Sequence, residues 1–355
     1  FEPTRPFTFG DISSDRLYDR VVLHADQKIS GLVSSSASSI GDNTGAQIQS
    51  LNNSTLYVCA DESRTAYCQL GGDNSSSFDY KLNVNFSATS DDIVQTLVDR
   101  SHTMTGALVV CSGTLRTEGK TRFLYLPSLT LQGGVFESAC INAASSVEFP
   151  VLDRLHIASS AVFRIDSAST ASPFASDTTT LSVEAGGMIE VPSGMTVSFK
   201  AAFYDGAFVA SGTYTESNCN WVGGDGSVVV SVPSGWNVWK TNADGSWTEA
   251  SNWSNGNVPT ADEVAVLMAS KSDFTVSAEG ISAAPSQIRL GGSNDKKATL
   301  STGTSTSLSG HNLLVTDGGV LSVPSGTSVW MRSKGLTMPA TLLFTSCAIM
   351  RMTFS

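Results

Sequence analysis

The residues best placed by type and spacing to do chemistry lie in one stretch, Asp153-Arg154-Leu155-His156-Ile157 followed by Val162-Phe163-Arg164-Ile165-Asp166. If Leu155 and Ile157 point into a core, strand alternation turns Arg154 and His156 outward, and the same parity turns Arg164 and Asp166 outward. Asp153, Arg154, His156, Arg164 and Asp166 would then share one surface, where a general acid and base for polysaccharide cleavage could assemble. The same residue types also make a solvated strand face, and that reading is favoured. Other outward positions carry Ser, Thr, Asn and Gly, which supply neither a base nor an activated nucleophile. His24, His102, His156 and His311 lack metal-ligand spacing. No Gly-x-Ser-x-Gly elbow, phosphate-binding glycine loop or calcium-type Asp spacing is found, so no catalytic residue, metal or cofactor is assigned.

Six cysteines, Cys59, Cys68, Cys111, Cys140, Cys219 and Cys347, form no Cys-x-x-Cys pair, which favours disulfides over zinc. Tyr57-Val-Cys59 and Tyr67-Cys68-Gln69 flank a polar turn and suggest a Cys59–Cys68 bridge across a hairpin. Cys111 and Cys140 stand about one coil apart and make a second candidate pair, leaving Cys219 with Cys347. Free buried thiols in a reducing cell are the alternative. Asn52, Asn53, Asn74, Asn85 and Asn252 each begin an Asn-x-Ser/Thr sequon, which supports a secretory route.

The elements that position these residues are short and repeated. Val-Pro-Ser-Gly-x-x-Val occurs at Val191–Val197, Val232–Val238 and Val323–Val329. Upstream of the outer two, Leu181-Ser-Val183-Glu-Ala-Gly186-Gly187 matches Leu313-Leu-Val315-Thr-Asp-Gly318-Gly319. Apolar residues alternate between breaks at Gly-Gly and Pro-Ser-Gly, the pattern of short strands and turns. Such strands bury an inward face only by stacking on copies of themselves. A second rhythm places Pro127 and Pro150, each followed by a leucine pair, 23 residues apart. Earlier, Ser90 as an N-cap, Asp91 and Asp92, then Ile93, Val94, Leu97 and Val98 on one face predict a short helix.

The 355 residues are 41% hydrophobic and only 15% charged, with a net charge of −11 and no basic run. A core is therefore expected, and a nucleic-acid partner is not. No apolar run approaches the roughly 18–20 residues of a membrane-spanning helix.

Leu126-Pro-Ser-Leu129 and Phe149-Pro-Val-Leu152 resemble the receptor L-domain type of repeat. Gly245-Ser-Trp247…Asn252-Trp253…Val258-Pro259…Asp262-Glu-Val264-Ala-Val266 resembles the opening of G8-like domains and of passenger repeats in secreted bacterial β-helix adhesins. Gly212-Thr-Tyr214 with Gly223-Gly-Asp-Gly226 is similar to the tail that closes such units. This resemblance implies a right-handed parallel β-helix on an extracellular protein, and no chemistry. Physically, Trp247 and Trp253 suit a cap over an open coil end, with a glycan-stacking platform as the alternative. Asp262 is expected to accept backbone N–H groups in the turn before Val264.

The expected fold is mostly β, a right-handed parallel β-helix with an N-terminal β cap and one short helix. Its expected divisions are 1–100, 101–238 and 239–355, the second a first solenoid and the third a second solenoid opening with the tryptophan cap. The expected function is extracellular and structural or adhesive: a spacer, surface coat or fibre component without enzymatic activity. A glycan-binding module, or less readily a polysaccharide lyase or hydrolase, is the alternative. Partners would be copies of itself or neighbouring extracellular proteins, with glycans possible ligands and no membrane span. The apolar Leu342–Phe354 segment predicts head-to-tail association or a longer polypeptide.

Overall fold

The computed structural model describes residues 7–9, 20–34, 47–50, 53–71, 81–141, 147–175, 178–279, 282–283, 285–292, 296–303, 306–308, 312–316, 318–323, 328–333, 343–344 and 349–354. They form about ten turns of a parallel coil, nearly all strand. Among them the one helical element is a single 3-10 turn, Ala250–Asn252.

The chain divides into two compact units, 1–200 with 211–231, and 201–210 with 232–355. In the first unit each coil visits three faces. The first face stacks Gln27–Ile29, Thr55–Ala60, Asn83–Ala88, Leu108–Val110, Ser128–Leu131, Arg154–Ile157 and Thr180–Val183, all parallel. The second stacks Arg64–Ala66, Val94–Val98, Thr114–Gly119, Val135–Cys140, Val162–Ile165, Met188–Glu190 and Val222–Gly223. Shorter pieces make the third face, among them Ser101–His102, Arg122–Phe123, a Phe149–Phe174 bridge and Thr196–Phe199.

Register follows from burial. Val58, Phe86, Val110, Leu131, Ile157 and Val183 occupy one column of the first face, and all are buried. A one-residue slip would turn the column to solvent. Inside the third face, rings meet coil on coil: Phe123 stacks on Phe149 at 5.3 Å and Phe149 on Phe174 at 5.7 Å, while Phe174 meets Phe199 tilted at 5.1 Å. Each ring meets the next at a distance that favours aromatic pairing beyond area burial.

Corners between the first and second faces share one device. Gly113, Gly134, Ser160 and Gly186 adopt left-handed φ of 69°, 65°, 66° and 91°, each following an inward residue of the column by the same interval. A Cβ on Gly134 would lie 2.3 Å from the Gly113 carbonyl oxygen. The Val-Pro-Ser-Gly phrase makes another corner, with Gly194 at 77° and Gly235 at 82° and closing bonds from Met195 N to Pro192 O and Trp236 N to Pro233 O. The third copy runs into 324–327, outside the described residues.

Two expectations are corrected. Val94–Val98 is a strand, not a helix: Ser90 to Ile93 is a turn closed by Ile93 N to Ser90 O and by the Ser90 hydroxyl on Asp92. Pairing with Thr114–Glu118 satisfies the backbone of Val94–Val98, and β-branched Val94, Thr96 and Val98 fit a pleat better than a helix. Nor do the strands before residue 100 form a separate cap, since Asn83–Ala88 pairs with Thr55–Ala60 on one side and Leu108–Val110 on the other. The sheets run through that expected boundary.

In the second unit Trp236–Val238, Val264–Ala269, Gln287–Gly292 and Asn312–Val315 stack in parallel. Beside them stack Gly245–Ser246, Phe274–Ser277, Ala298–Ser301, Gly319–Val323 and Leu343–Phe344. Ala265, Leu267, Leu290, Leu300 and Leu321 face a common core. On the other side of the first sheet, Phe203 of an Ala201–Tyr204/Ala207–Val209 hairpin packs with Val238 and Val266. The unit comprises 201–210 and resumes at 232.

Candidate functional site

The five charged candidates are divided between two faces. Ile157 ends a first-face strand, the chain turns at Ser160, and Val162 begins a second-face strand. Asp153, Arg154 and His156 therefore belong with the first face, and Arg164 and Asp166 with the second. The single surface expected from alternation is corrected by this corner, because parity along a strand says nothing about which sheet a strand joins.

On the second face the outward column reads Arg116, Glu137, Arg164, Glu190 in direct register. Arg116 pairs with Glu137, with Glu118 at 2.6 Å and with Asp166 at 3.4 Å. Arg164 reaches Glu190 at 2.6 Å and Glu137 at 3.5 Å. The Glu190 hydrogen bond, working against partial burial, raises the Arg164 pKa. Opposite charges one coil apart favour this register over a slipped one, though exposed pairs add little stability.

On the first face, Asp153 accepts from Lys200 Nζ at 2.5 Å and lies 4.0 Å from Arg154 Nε. His156 is 1% exposed. Its Nδ1 lies 3.2 Å from the Ser182 hydroxyl and its Nε2 3.5 Å from Glu184. Ser, His and Glu thus meet in a row, but the imidazole presents no edge to solvent. Among the described residues no group of three His, Cys, Asp or Glu side chains is arranged to hold a metal.

The tryptophan motif builds a plug of core. Trp239, Trp247 and Trp253 are buried; Trp253 meets Trp247 edge-on at 4.9 Å and Trp239 at 5.1 Å, while Trp239 stacks on Phe274 at 6.3 Å. Trp253 Nε1 donates to Trp247 O at 2.9 Å. With no ring face in solvent, Trp247 and Trp253 give a sugar nothing to stack on in the closed coil. The acid that organises the loop is Glu263, not Asp262: it accepts from Asn255 Nδ2 at 2.7 Å, Thr260 N at 2.8 Å and Asn257 Nδ2 at 3.0 Å. Partial burial works to raise its pKa, but these hydrogen bonds, with one from Asn237, outweigh it and hold the carboxyl below its ordinary range.

The expected disulfides are corrected. Cys59, Cys68, Cys111, Cys140 and Cys219 are free thiols. The Asp61–Arg64 turn is a coil corner, not a hairpin, so Thr55–Ala60 and Arg64–Ala66 belong to different sheets. Cys68 is buried and Cys59 half exposed; Cys59 lies beside the Ser87 hydroxyl at 3.5 Å. Cys111 faces Gln132 Oε1 at 3.5 Å, whereas Cys140 faces the Thr121 carbonyl at 3.6 Å. Cys347 lies outside the described residues. Of the sequons, Asn53 is exposed, Asn85 and Asn252 are half-buried, and Asn52 and Asn74 lie outside the described residues.

Sequence reasoning passed over Arg116, Glu137, Glu190 and Glu263, and also Glu148, a wholly buried acid. Alignment of successive coils would have revealed the first three as a column. No protein-family model, curated protein or solved structure matches the chain.

Proposed function

We propose that the chain is an extracellular structural or adhesive module, a rigid spacer, surface coat or fibre component whose work is geometric. The observation that carries this reading is the in-register parallel stacking, in which each turn adds about 4.8 Å of coil held by backbone ladders. The charged ladder supports it, because its Arg116–Glu137, Arg164–Glu137 and Arg164–Glu190 pairs run between coils and serve register. The resemblance of Gly245–Val266 to G8-like openings and the exposed Asn53 sequon support an extracellular setting. The free thiols withdraw the disulfide argument for that setting, so glycosylation becomes its principal test.

The protein, expressed through a eukaryotic secretory route, should reach the medium carrying N-glycans whose enzymatic removal lowers its mass. Electron micrographs should show stiff rods or filaments. Compact particles would overturn the spacer, and an unmodified protein retained in the cell would overturn the extracellular setting.

A further inference from the structure

Glu148 sits at the corner between the second and third faces with 0% of its surface exposed. Ser138 Oγ donates to its Oε2 at 2.5 Å, and its Oε1 has no hydrogen-bond partner. Around it are Thr117, Ser138 and Cys140 from the second face. Thr121 is in the same corner, its carbonyl accepting from the Cys140 thiol and its hydroxyl donating to Glu118 O. Of the titratable or charged groups on the adjoining elements, Arg116, Glu118 and Glu137 are engaged with one another in the outward ladder of the second face. Cys140 is a thiol, Arg122 directs its Nε at the Val147 carbonyl at 3.4 Å, and His102, stacked on Phe123, accepts from Leu70 N. Among the described residues no cation pairs with Glu148, and the adjoining stretch 142–146, Asn-Ala-Ala-Ser-Ser, contains none.

A carboxylate in such a place is costly, and an uncharged acid far less so. The backbone on either side is the seam of the coil: Phe123 N donates to Glu148 O at 2.7 Å and Phe149 N to Pro173 O at 2.8 Å. We propose that Glu148 is the trigger of a pH-operated latch, which keeps this corner closed while its carboxyl is protonated and lets it open when the charge forms and seeks water. Burial pushes the carboxyl from its ordinary 4.5 up to about 7, against the smaller opposing pull of Ser138, Thr117 and Cys140, so the latch loosens progressively as pH rises between those two values. Opening would expose Cys140 and release the Phe123 and Phe149 amides without unwinding other coils.

Native-state hydrogen exchange, corrected for the intrinsic effect of pH, tests this in the intact protein. Protection of the Phe123 and Phe149 amides should fall by about tenfold per pH unit from about pH 4.5 to about pH 7, level off above that, and become independent of pH in Glu148→Gln. Equal pH dependence in the two proteins, or none in either, would overturn the latch. Should Glu148→Gln fail to fold, the wild-type protein carries its own control. Alkylation of Cys140 relative to Cys68, a buried thiol influenced by Arg100 and not by an acid, should rise by about tenfold per pH unit over the same range. A constant ratio would overturn the proposal.

Discussion

Glu263 is held ionised by amides and a backbone N–H, and at the scale of single residues it is the acid on which the tryptophan loop hangs. Glu263→Gln should cost about 2 kcal/mol in denaturant unfolding at neutral pH, the range for hydrogen bonds to a charged group. Because its folded pKa is depressed, the stabilisation is present above the unfolded value of about 4.5 and is lost as pH falls. The variant should therefore show a flatter acid limb, and an unchanged limb would remove Glu263 from this role. The thiols give a second residue-level expectation. Burial pushes Cys68 up to about 12 and Cys140 further still, while Cys59, Cys111 and Cys219 are part-exposed. Under native conditions near neutrality a thiol reagent should modify the latter three first, spare Cys68, and reach Cys140 only through opening of the Glu148 corner, as peptide mapping over time would show. The chemistry-bearing residues were legible by type, but Asp262 and Glu263 are adjacent acids, and only the positions of Asn237, Asn255 and Asn257 select between them.

At the scale of elements the coil is governed by its corners and its stacked rings. Ser160 occupies a left-handed position that Gly113, Gly134 and Gly186 fill on neighbouring coils, so Ser160→Gly should stabilise by about 0.5–1 kcal/mol. Gly134→Ala sets a Cβ against the Gly113 carbonyl and should destabilise by 2 kcal/mol or so. Thermal unfolding of the pair checks both signs, and a loss in Ser160→Gly would contradict the corner argument. Phe149, buried between Phe123 and Phe174, should cost about 3–5 kcal/mol as Phe149→Ala. Gly-Gly and Pro-Ser-Gly announced the corners because only certain residues tolerate positive φ. Phe123, Phe149, Phe174 and Phe199 recur at intervals of 26, 25 and 25 residues, a legible signal that the leucine rhythm overshadowed. Ser90–Val98 misled because its cap residues describe a tight turn as well as a helix start, and the neighbouring strand decides between them.

For the whole molecule, two buried groups of opposite sense shape stability against pH. His102 is lowered from 6.5 to about 3, by burial and then by Arg100, so its contribution is lost as pH falls through that interval. Glu148 is raised from 4.5 to about 7, so its contribution is lost as pH rises. Between 4.5 and 6.5 the two slopes, each about 1.4 kcal/mol per pH unit, cancel. Glu148→Gln should remove one of them, and the difference between variant and wild-type stability should then grow with pH by about that slope from 4.5 to 7. Denaturant titrations across this range measure it; parallel curves would show that Glu148 ionises alike in folded and unfolded chains.

The sequence alone determined that the chain is a stack of short parallel strands, because alternation and the glycine-bearing breaks are local properties written into each unit. Only the tertiary structure decided which strands share a face, and hence that Arg164 and Asp166 part from His156 at the Ser160 corner. The cysteines follow the same logic. Their pairing depends on which sheet each strand joins and which way each side chain points, and neither follows from distance along the chain.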